Sequence, residues 1–458
     1  MLIIIVIYVL KMNSLYHRDM YNFKNPVNSY WEHTKPKTYF KEKSLNSNIK
    51  SDIVVIGGGY TGLNCALQLS KKFGFDVSLV EAGKNIGFGS SARNGGFVCM
   101  GPSKLSIKQL INKYGLNETK QYYKNQVEGS NFTIQLTKEY NIECDIIGNV
   151  NFEVAHHPSY ISDNKEYSND LNNYFGLKTK LYTKDEFDEI GHTGLEQFGA
   201  MSYEPGCALH PLKFLLGIAK ACYDNKVNLF SDSKVIKVEK NSNGYLTITE
   251  SGTILSKKIV FAVNGFYKDD FLPQFKNRIL PAISNITVTR KMSDDELKKH
   301  NFVTNCPILN QRNLLFYYRL LPDNRILFGA RGDLKGSKES SFKMSKWIEK
   351  RFKDIFPYWK NVEIEFRWSG FVAVTRDLTP SVGKLPDEEI YHSFGYCANG
   401  VNTAPYLGKE LANFIGGSNT KKMNISKIYQ GLPKRIPFAF LRLLYLRIVY
   451  IYYSIIDK

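Results

Sequence analysis

Apolar residues along the 458-residue chain gather into short β-branched runs separated by helical stripes. DIVVI (52–56) is apolar after its first residue and suits a buried strand. GGGYTG follows at once, and LNCALQLSKKFG then places Leu63, Ala66, Leu67 and Leu69 on one helical face, with Gly74 as a C-terminal stop. DVSLV (76–80) reads as a second buried strand, closed by Glu81. Strand, helix and strand within about thirty residues predict a βαβ unit with a right-handed crossover in a parallel sheet.

The pattern blurs over 106–194, where helical text such as SIKQLINKYG alternates with strand-like pieces in no readable order. It sharpens at PLKFLLGIAKACYDN, a helix opening on Pro211, a favoured first position. KVNLF, SKVIKVEKN, YLTITES and IVFAV (259–263) read as strands. Segments 282–290 (AISNITVTR), 314–320 (LLFYYRL) and 325–330 (RILFGA) predict an antiparallel sheet, its last pair hinged at LPDN. EIYHSFGYCANGVNTAPYLGKELANFI reads as a final strand, turn and helix entered near Thr403, with Pro405 in its first turn. There is no internal repeat and no low-complexity linker. The expected fold is α/β: a Rossmann-like parallel-sheet domain interleaved with an antiparallel-sheet, α+β second domain.

The two ends are apolar. MLIIIVIYVL is too short to span a bilayer and lacks the basic region and cleavage site of a signal peptide, and Met12 is an alternative start. FAFLRLLYLRIVYIYYSII (438–456) reads as a helix whose Arg447 disfavours a spanning role. Packing on the protein body is expected, with a membrane-surface position, Arg442 and Arg447 snorkelling, as the alternative.

Composition narrows the function. The formal net charge is +18, but the surplus is spread through Lys-, Asn-, Ile- and Tyr-rich text without an Arg-rich block, so no nucleic-acid partner is expected. Seven cysteines without a CxxC pair point to a reducing cytoplasm, and no His/Cys cluster has zinc spacing, so no metal is expected.

The chemistry begins at Gly57, Gly59 and Gly62, a GxGxxG fingerprint in its required context of strand before and helix after. The first glycine permits the tight turn, the second lets backbone approach a pyrophosphate, and the third allows close packing of helix on strand. The helix N-terminus offers N–H groups and partial positive charge to phosphate. Glu81, at the end of the second strand, is placed to accept from a ribose diol and would repel a 2′-phosphate. GFGSSARNGG (87–96) then lies where a longer cofactor needs a second cradle: its glycines permit close approach, Ser90 and Ser91 offer hydroxyls, and Arg93 can pair with phosphate.

SYWEHT (29–34), DIVVIGGGYTGLNCAL, GFGSSARNGG, LHPLKFLLGIA, FYYRLLPDNRILFGAR, RWSGFVAVTRDLTPSVGKL and FGYCANGVNTAPYLGKELANFI occur in this order along nearly the whole chain. In order and spacing they resemble the D-amino-acid-oxidase-like FAD-dependent oxidoreductases, and among these the gamma-glutamylputrescine oxidoreductases. The resemblance implies noncovalent FAD, with Gly57, Gly59, Thr61 and Gly62 at its pyrophosphate and Glu81 at its adenosine ribose. Gly89, Ser90, Ser91, Arg93, Asn94 and Gly95 would run beside the pyrophosphate, ribityl chain and flavin edge. Val235 would meet adenine, Ala262 and Gly265 would close over the ADP half, and Gly395, Asn399, Gly400 and Val401 would cover the isoalloxazine. The chain is expected to divide into an N-terminal arm (1–45), an FAD-binding domain (46–105, 195–265 and 366–430), a substrate domain (106–194 and 266–365) and a C-terminal apolar helix (431–458).

Several amino-acid oxidases of this family grip the substrate carboxylate with an arginine where this chain has Val372, and the sarcosine oxidases' flavin-linking cysteine and flavin-side lysine have no counterparts here. Tyr317 and Arg319 are the substrate-pocket candidates, and His210 is expected to cap its helix. The implied activity is oxidation of a C–N bond of an amine, gamma-glutamylputrescine-like or related, with molecular oxygen as acceptor and hydrogen peroxide as product. The alternatives are a dehydrogenase of an amino acid or N-methyl amine feeding a membrane quinone, a tRNA-modifying flavoenzyme, and a flavin-binding scaffold without turnover.

Overall fold

The structure is a computed structural model describing residues 15–24, 26–37, 40–101, 104–267, 269, 271–417 and 423–457. MLIIIVIYVL and the choice between Met1 and Met12 lie outside the described residues.

The βαβ reading holds at its stated place. Strand Asn48–Ile56 pairs in parallel with Val77–Val80, and helix Tyr60–Phe73 connects them. Gly74, at φ 71°, ends that helix in the left-handed region and donates to Leu69 O and Ser70 O, a stop that glycine makes without strain. The sheet runs in the order 381–384, 390–394, 253–261, 48–56, 77–80, 228–230, with the hairpin 235–249 added beside 253–261. In that order four pairings are parallel and the pair 381–384 and 390–394 is antiparallel, as are the pairings of the hairpin.

Helices Pro211–Asp224 and Gly400–Gly416 pack on the central helix: Cys222 Sγ donates to Leu63 O at 3.2 Å, and a methyl group on Gly408 would lie 2.5 Å from Thr61 O. Pro405 lies inside helix Gly400–Gly416 and not in a first turn after Thr403, because the helix begins three residues earlier than expected. A proline there leaves the carbonyl of Val401 without its helical donor, and Thr133 Oγ1 donates to it at 3.5 Å.

The second sheet has the order 364–375, 279–289, 326–331, 317–320, 308–310, 151–154, 200–203, 179–182. All its pairings are antiparallel except the parallel pair 308–310 and 151–154. LPDN turns the chain as expected, with Asn324 at φ 63°. Strand pairing cuts across the expected segment edges at 195 and 366, since 200–203 and 364–375 both belong to this sheet. Helix Leu116–Glu139, in the segment assigned to the substrate domain, packs on helix Gly400–Gly416, where Ser130 Oγ donates to Asn402 Oδ1 at 2.9 Å. The unreadable region 106–194 holds helices 107–114, 116–139, 161–175 and 184–190 with strands 151–154 and 179–182.

The C-terminal segment is a short 3₁₀ turn followed by helix Arg442–Ile456. Arg442 is buried and ion-paired with Asp269, so it does not snorkel outward, whereas Arg447 is exposed. Asp457 fixes the far end by accepting from Asn313 N at 2.8 Å and Leu314 N at 2.6 Å. Only one edge of the helix is covered: Leu444, Ile448, Ile451 and Ile455 are all exposed.

Candidate active site

The fingerprint turn is built by close backbone approach. Gly57 has φ 111°, and a methyl group there would lie 2.6 Å from Ala262 O. A methyl group on Gly62 would lie 2.0 Å from Gly57 O, so this glycine serves helix-to-strand packing. The helix has Gly59 as its N-cap, and Leu63 is the first residue to donate back, to Gly59 O at 3.0 Å. The N–H groups of Tyr60, Thr61 and Gly62 therefore precede the first intrahelical bond. Ser91 Oγ accepts from Tyr60 N at 3.1 Å, which caps the helix from GFGSSARNGG.

Glu81 is buried, and its two oxygens accept from Gly58 N at 2.8 Å and Gly83 N at 2.7 Å. Burial raises its pKa above the usual carboxylate range, and these two bonds oppose the rise.

GFGSSARNGG is an ordered loop fastened from several sides. Asn94 Nδ2 donates to Ser90 O and Ser91 O at 3.1 and 2.9 Å, and Asn94 Oδ1 accepts from Gly96 N at 2.7 Å. Trp31, from SYWEHT, donates its indole N–H to Asn94 O, and Trp368 donates to Arg93 O, both at 2.9 Å. Ser90 gives its hydroxyl proton to Phe371 O at 2.7 Å, so its expected donation to a ligand is taken up within the protein. Arg93 is buried, donates from Nε to Phe88 O at 2.7 Å and lies 4.1 Å over the Phe88 ring. Its Nη2 is buried without a hydrogen-bond partner, and burial pulls its pKa down to about 10.

One cavity of about 1350 Å³ joins these parts. Gly57, Gly59, Thr61, Glu81, Val235 and Ala262 line one end. Gly89, Ser90, Ser91, Arg93, Asn94 and Gly95 line the middle, with Asn399, Gly400 and Val401. Gly62, Gly265 and Gly395 are not on its wall: Gly62 packs against backbone, Gly265 faces Phe371 and Ala373, and Gly395 donates to Asn264 Oδ1 at 2.9 Å beneath Thr375. Asn399 Nδ2 is held by Gly101 O and Gln126 Oε1, both at 2.9 Å, at the start of helix Gly400–Gly416. That helix start and the one at Tyr60 both bring positive dipole ends to the cavity.

Tyr317 lines the cavity as expected, with its hydroxyl 2.8 Å from Ser284 Oγ. Arg319 does not. Trp31 and the Leu209 backbone cover it: it is 2% exposed, donates to Leu209 O at 2.8 Å and lies 5.4 Å over the Trp31 ring. His210 is a cap, accepting at Nδ1 from Lys213 N at 3.1 Å, and burial drives its pKa down to about 3.

Sequence reasoning missed Lys104, Glu153, Ser284, Arg312 and Arg331 on the cavity wall. Arg331 closes a strand that is otherwise apolar and buried throughout, a signal available in RILFGAR. Its register opposite Ser284, which also pairs with Gly370, brings an arginine close to the strand that carries Val372. Lys104 is lowered to about 7, chiefly by burial and then by Arg331.

Two glycines whose methyl groups would strike backbone, a carboxylate at the second strand and a buried guanidinium with one unpartnered nitrogen fit a dinucleotide with an anionic centre. The chain belongs to the FAD dependent oxidoreductase (DAO) family, which matches residues 52–414, and it is an FAD-dependent oxidoreductase.

Among curated relatives it is 29% identical to gamma-glutamylputrescine oxidoreductase of Escherichia coli strain K12, over 82% of this chain and 85% of that protein. It is 28% identical to the probable oxidoreductase OrdL of Haemophilus influenzae over 95% of this chain and 98% of that one. The fold matches glycine oxidase from Geobacillus kaustophilus with a TM-score of 0.68 at 18% identity, covering 84% of this chain and 99% of that structure.

Proposed function

We propose that the chain oxidises a gamma-glutamylputrescine-like or related amine, with oxygen as the acceptor and hydrogen peroxide as a product. The observation that carries this reading is the continuity of the cavity, from the glycine turn past GFGSSARNGG to Ser284, Tyr317 and Arg331 on the antiparallel sheet. A substrate on that sheet face would then lie beside a cofactor held by the loop.

Gly57, Gly59, Thr61, Glu81, Ser91, Arg93 and Gly400 are the residues we assign to noncovalent FAD. Bound FAD would supply the two-electron acceptor for the C–H bond beside the amine nitrogen. The protein's part is to fix the amine in place and limit water around it. Loss of two electrons and two protons from the CH–NH unit leaves an imine, which water hydrolyses to an aldehyde and the released amine, and oxygen takes up the electrons and protons as peroxide. The amine must first lose its extra proton, so the reaction should accelerate as pH rises.

The test is anaerobic bleaching of the flavin band against gamma-glutamyl amines, polyamines and N-methyl amino acids, followed by peroxide measurement in air. No bleaching by any of them overturns the reading. Fast bleaching with negligible peroxide favours a membrane quinone as acceptor, a second reading supported by the exposed apolar face of helix Arg442–Ile456. Exposed Lys434, Arg435 and Arg447 would suit the anionic surface on which that face would lie.

A further inference from the structure

Beyond Tyr317 the cavity continues across the antiparallel sheet to a carboxylate that the assigned chemistry leaves unused. Tyr317 pairs with Leu309, and Leu309 pairs with Glu153, so the three stand side by side on adjacent strands, and all line the cavity. Two strand spacings separate Glu153 from Tyr317, about 10 Å. Tyr317 itself lies against GFGSSARNGG, where a methyl group on Gly95 would touch its ring at 3.2 Å. Glu153 therefore stands one small-molecule length from the loop assigned to the cofactor.

No ion pair or side-chain hydrogen bond reaches the Glu153 carboxylate among the described residues. Burial is the sole cause that pushes its pKa up to about 7. Tyr123, Tyr167 and Tyr203 line the same stretch of cavity and interact electrostatically with it. Tyr123 and Tyr203 are each 1% exposed, and the Tyr123 and Tyr167 hydroxyls face each other. An unpaired carboxylate among tyrosine rings has the composition of an ammonium cage: negative charge for attraction, ring faces for the cation, and hydroxyls to accept N–H bonds.

The approach to this cage is also acidic. Asp163, Glu166, Tyr167 and Asp170 have i, i+3, i+4, i+7 spacing on helix Ile161–Phe175 and line the cavity together. The nearby basic groups are engaged: Lys108 pairs with Glu166, Arg312 with Glu196 at 2.8 Å, and Lys104 donates to Asn313 O. In a protein of net charge +18, an end of the cavity with a free carboxylate is a local reversal of sign.

We infer that Glu153, with Tyr123, Tyr167 and Tyr203, forms a second ammonium subsite, and that the substrate is a linear amine carrying a second cationic nitrogen several bonds from the one oxidised. This rests on the amine-oxidation reading for the reacting end only. The subsite itself is a binding claim. A monoamine of the same length fills the cavity but leaves Glu153 unpaired, and a diamine or longer polyamine supplies the missing charge.

The experiment is calorimetric titration of dithionite-reduced holoenzyme, in which no turnover occurs, with 1,4-diaminobutane, spermidine and butylamine. The expected result is binding of the diamine or spermidine at least tenfold tighter than butylamine. That preference disappears in Glu153→Gln and partly returns in Glu153→Asp. Equal binding of diamine, spermidine and monoamine by the wild-type protein overturns the inference without any variant. A preference unchanged in a folded Glu153→Gln overturns it too. If diamines bind through Glu153 but no amine bleaches the oxidised flavin, the subsite stands and the amine-oxidation reading falls.

Discussion

The Glu81 carboxylate accepts the backbone N–H of Gly58 at 2.8 Å, joining the end of the second strand to the middle of the glycine turn. With Gly83 N on its other oxygen, this side chain shapes the turn before any ligand arrives. Glu81→Gln keeps one acceptor oxygen and turns an NH₂ toward the other backbone donor. Leaving a buried donor unsatisfied costs about 1–3 kcal/mol. FAD affinity, read by fluorescence titration of the apoprotein, should fall about tenfold or more at that energy, together with thermal stability. Unchanged affinity and melting temperature would remove Glu81 from the site.

Gly59 and Gly62 separate packing from cofactor approach. Gly62→Ala places a methyl group 2.0 Å from Gly57 O and 3.2 Å from Val55 Cγ1, where the nearest obstacle is backbone. Overpacking of this kind costs roughly 1–3 kcal/mol or more, so the apoprotein itself should melt several degrees lower. Gly59→Ala meets only the Ser91 side chain, its Oγ at 2.9 Å, which can turn away at the loss of its bond from Tyr60 N. It should lower the apoprotein's melting point less than Gly62→Ala does and lose FAD. Equal melting losses in the two variants would contradict this division.

The chain reads well where the determinants are local. DIVVI, the glycines, the helix stripe and Glu81 are contiguous, and strand Asn48–Ile56 with helix Tyr60–Phe73 matches them. GFGSSARNGG is legible as a loop beside the cavity, but its two indole clamps come from Trp31 and Trp368, residues 63 and 275 positions away in sequence. Alternation along FYYRLL puts Tyr317 and Arg319 on one strand face, yet only the fold shows that Trp31 and the Leu209 backbone bury the second of them. Glu153 was invisible for the same reason. It is one acidic residue in the four-residue strand NFEV, and its meaning arises when that strand pairs with Ile308–Asn310 more than a hundred residues later.

Arg93 lies over the Phe88 ring on the cavity wall with one guanidinium nitrogen unpartnered. A buried cation in that position is costly in the empty protein, and an anionic ligand would relieve the cost. Arg93→Ala should therefore change the apoprotein's melting temperature little while weakening FAD. A charge-assisted hydrogen bond of about 1.5–3 kcal/mol corresponds to roughly a ten- to hundredfold loss. Undiminished FAD affinity in this variant would return the loop to a purely structural role.

Glu153 gives a prediction whose sign is fixed by burial. Its carboxyl titrates at 4.5 when free and at about 7 in the folded protein. Between those values the folded state keeps a proton that the unfolded state has released, so stability declines as pH climbs from 4.5 to 7 and levels off above. The decline attributable to this one group is at most about 3 kcal/mol, at 1.36 kcal/mol for each pH unit. Tyr123, Tyr167 and Tyr203 beside it stay neutral across that range, since burial raises each of their pKa values well above the usual one. Glu153→Gln should match the wild-type melting temperature near pH 4 and exceed it by a few degrees at pH 8, where the wild type holds an unpaired charge. Saturating 1,4-diaminobutane should reverse that order at pH 8, because the dication stabilises only the protein that retains the carboxylate. Parallel melting curves for the two proteins from pH 4 to 8, with and without diamine, would show that Glu153 is already neutralised within the fold and leave the cage without its anion.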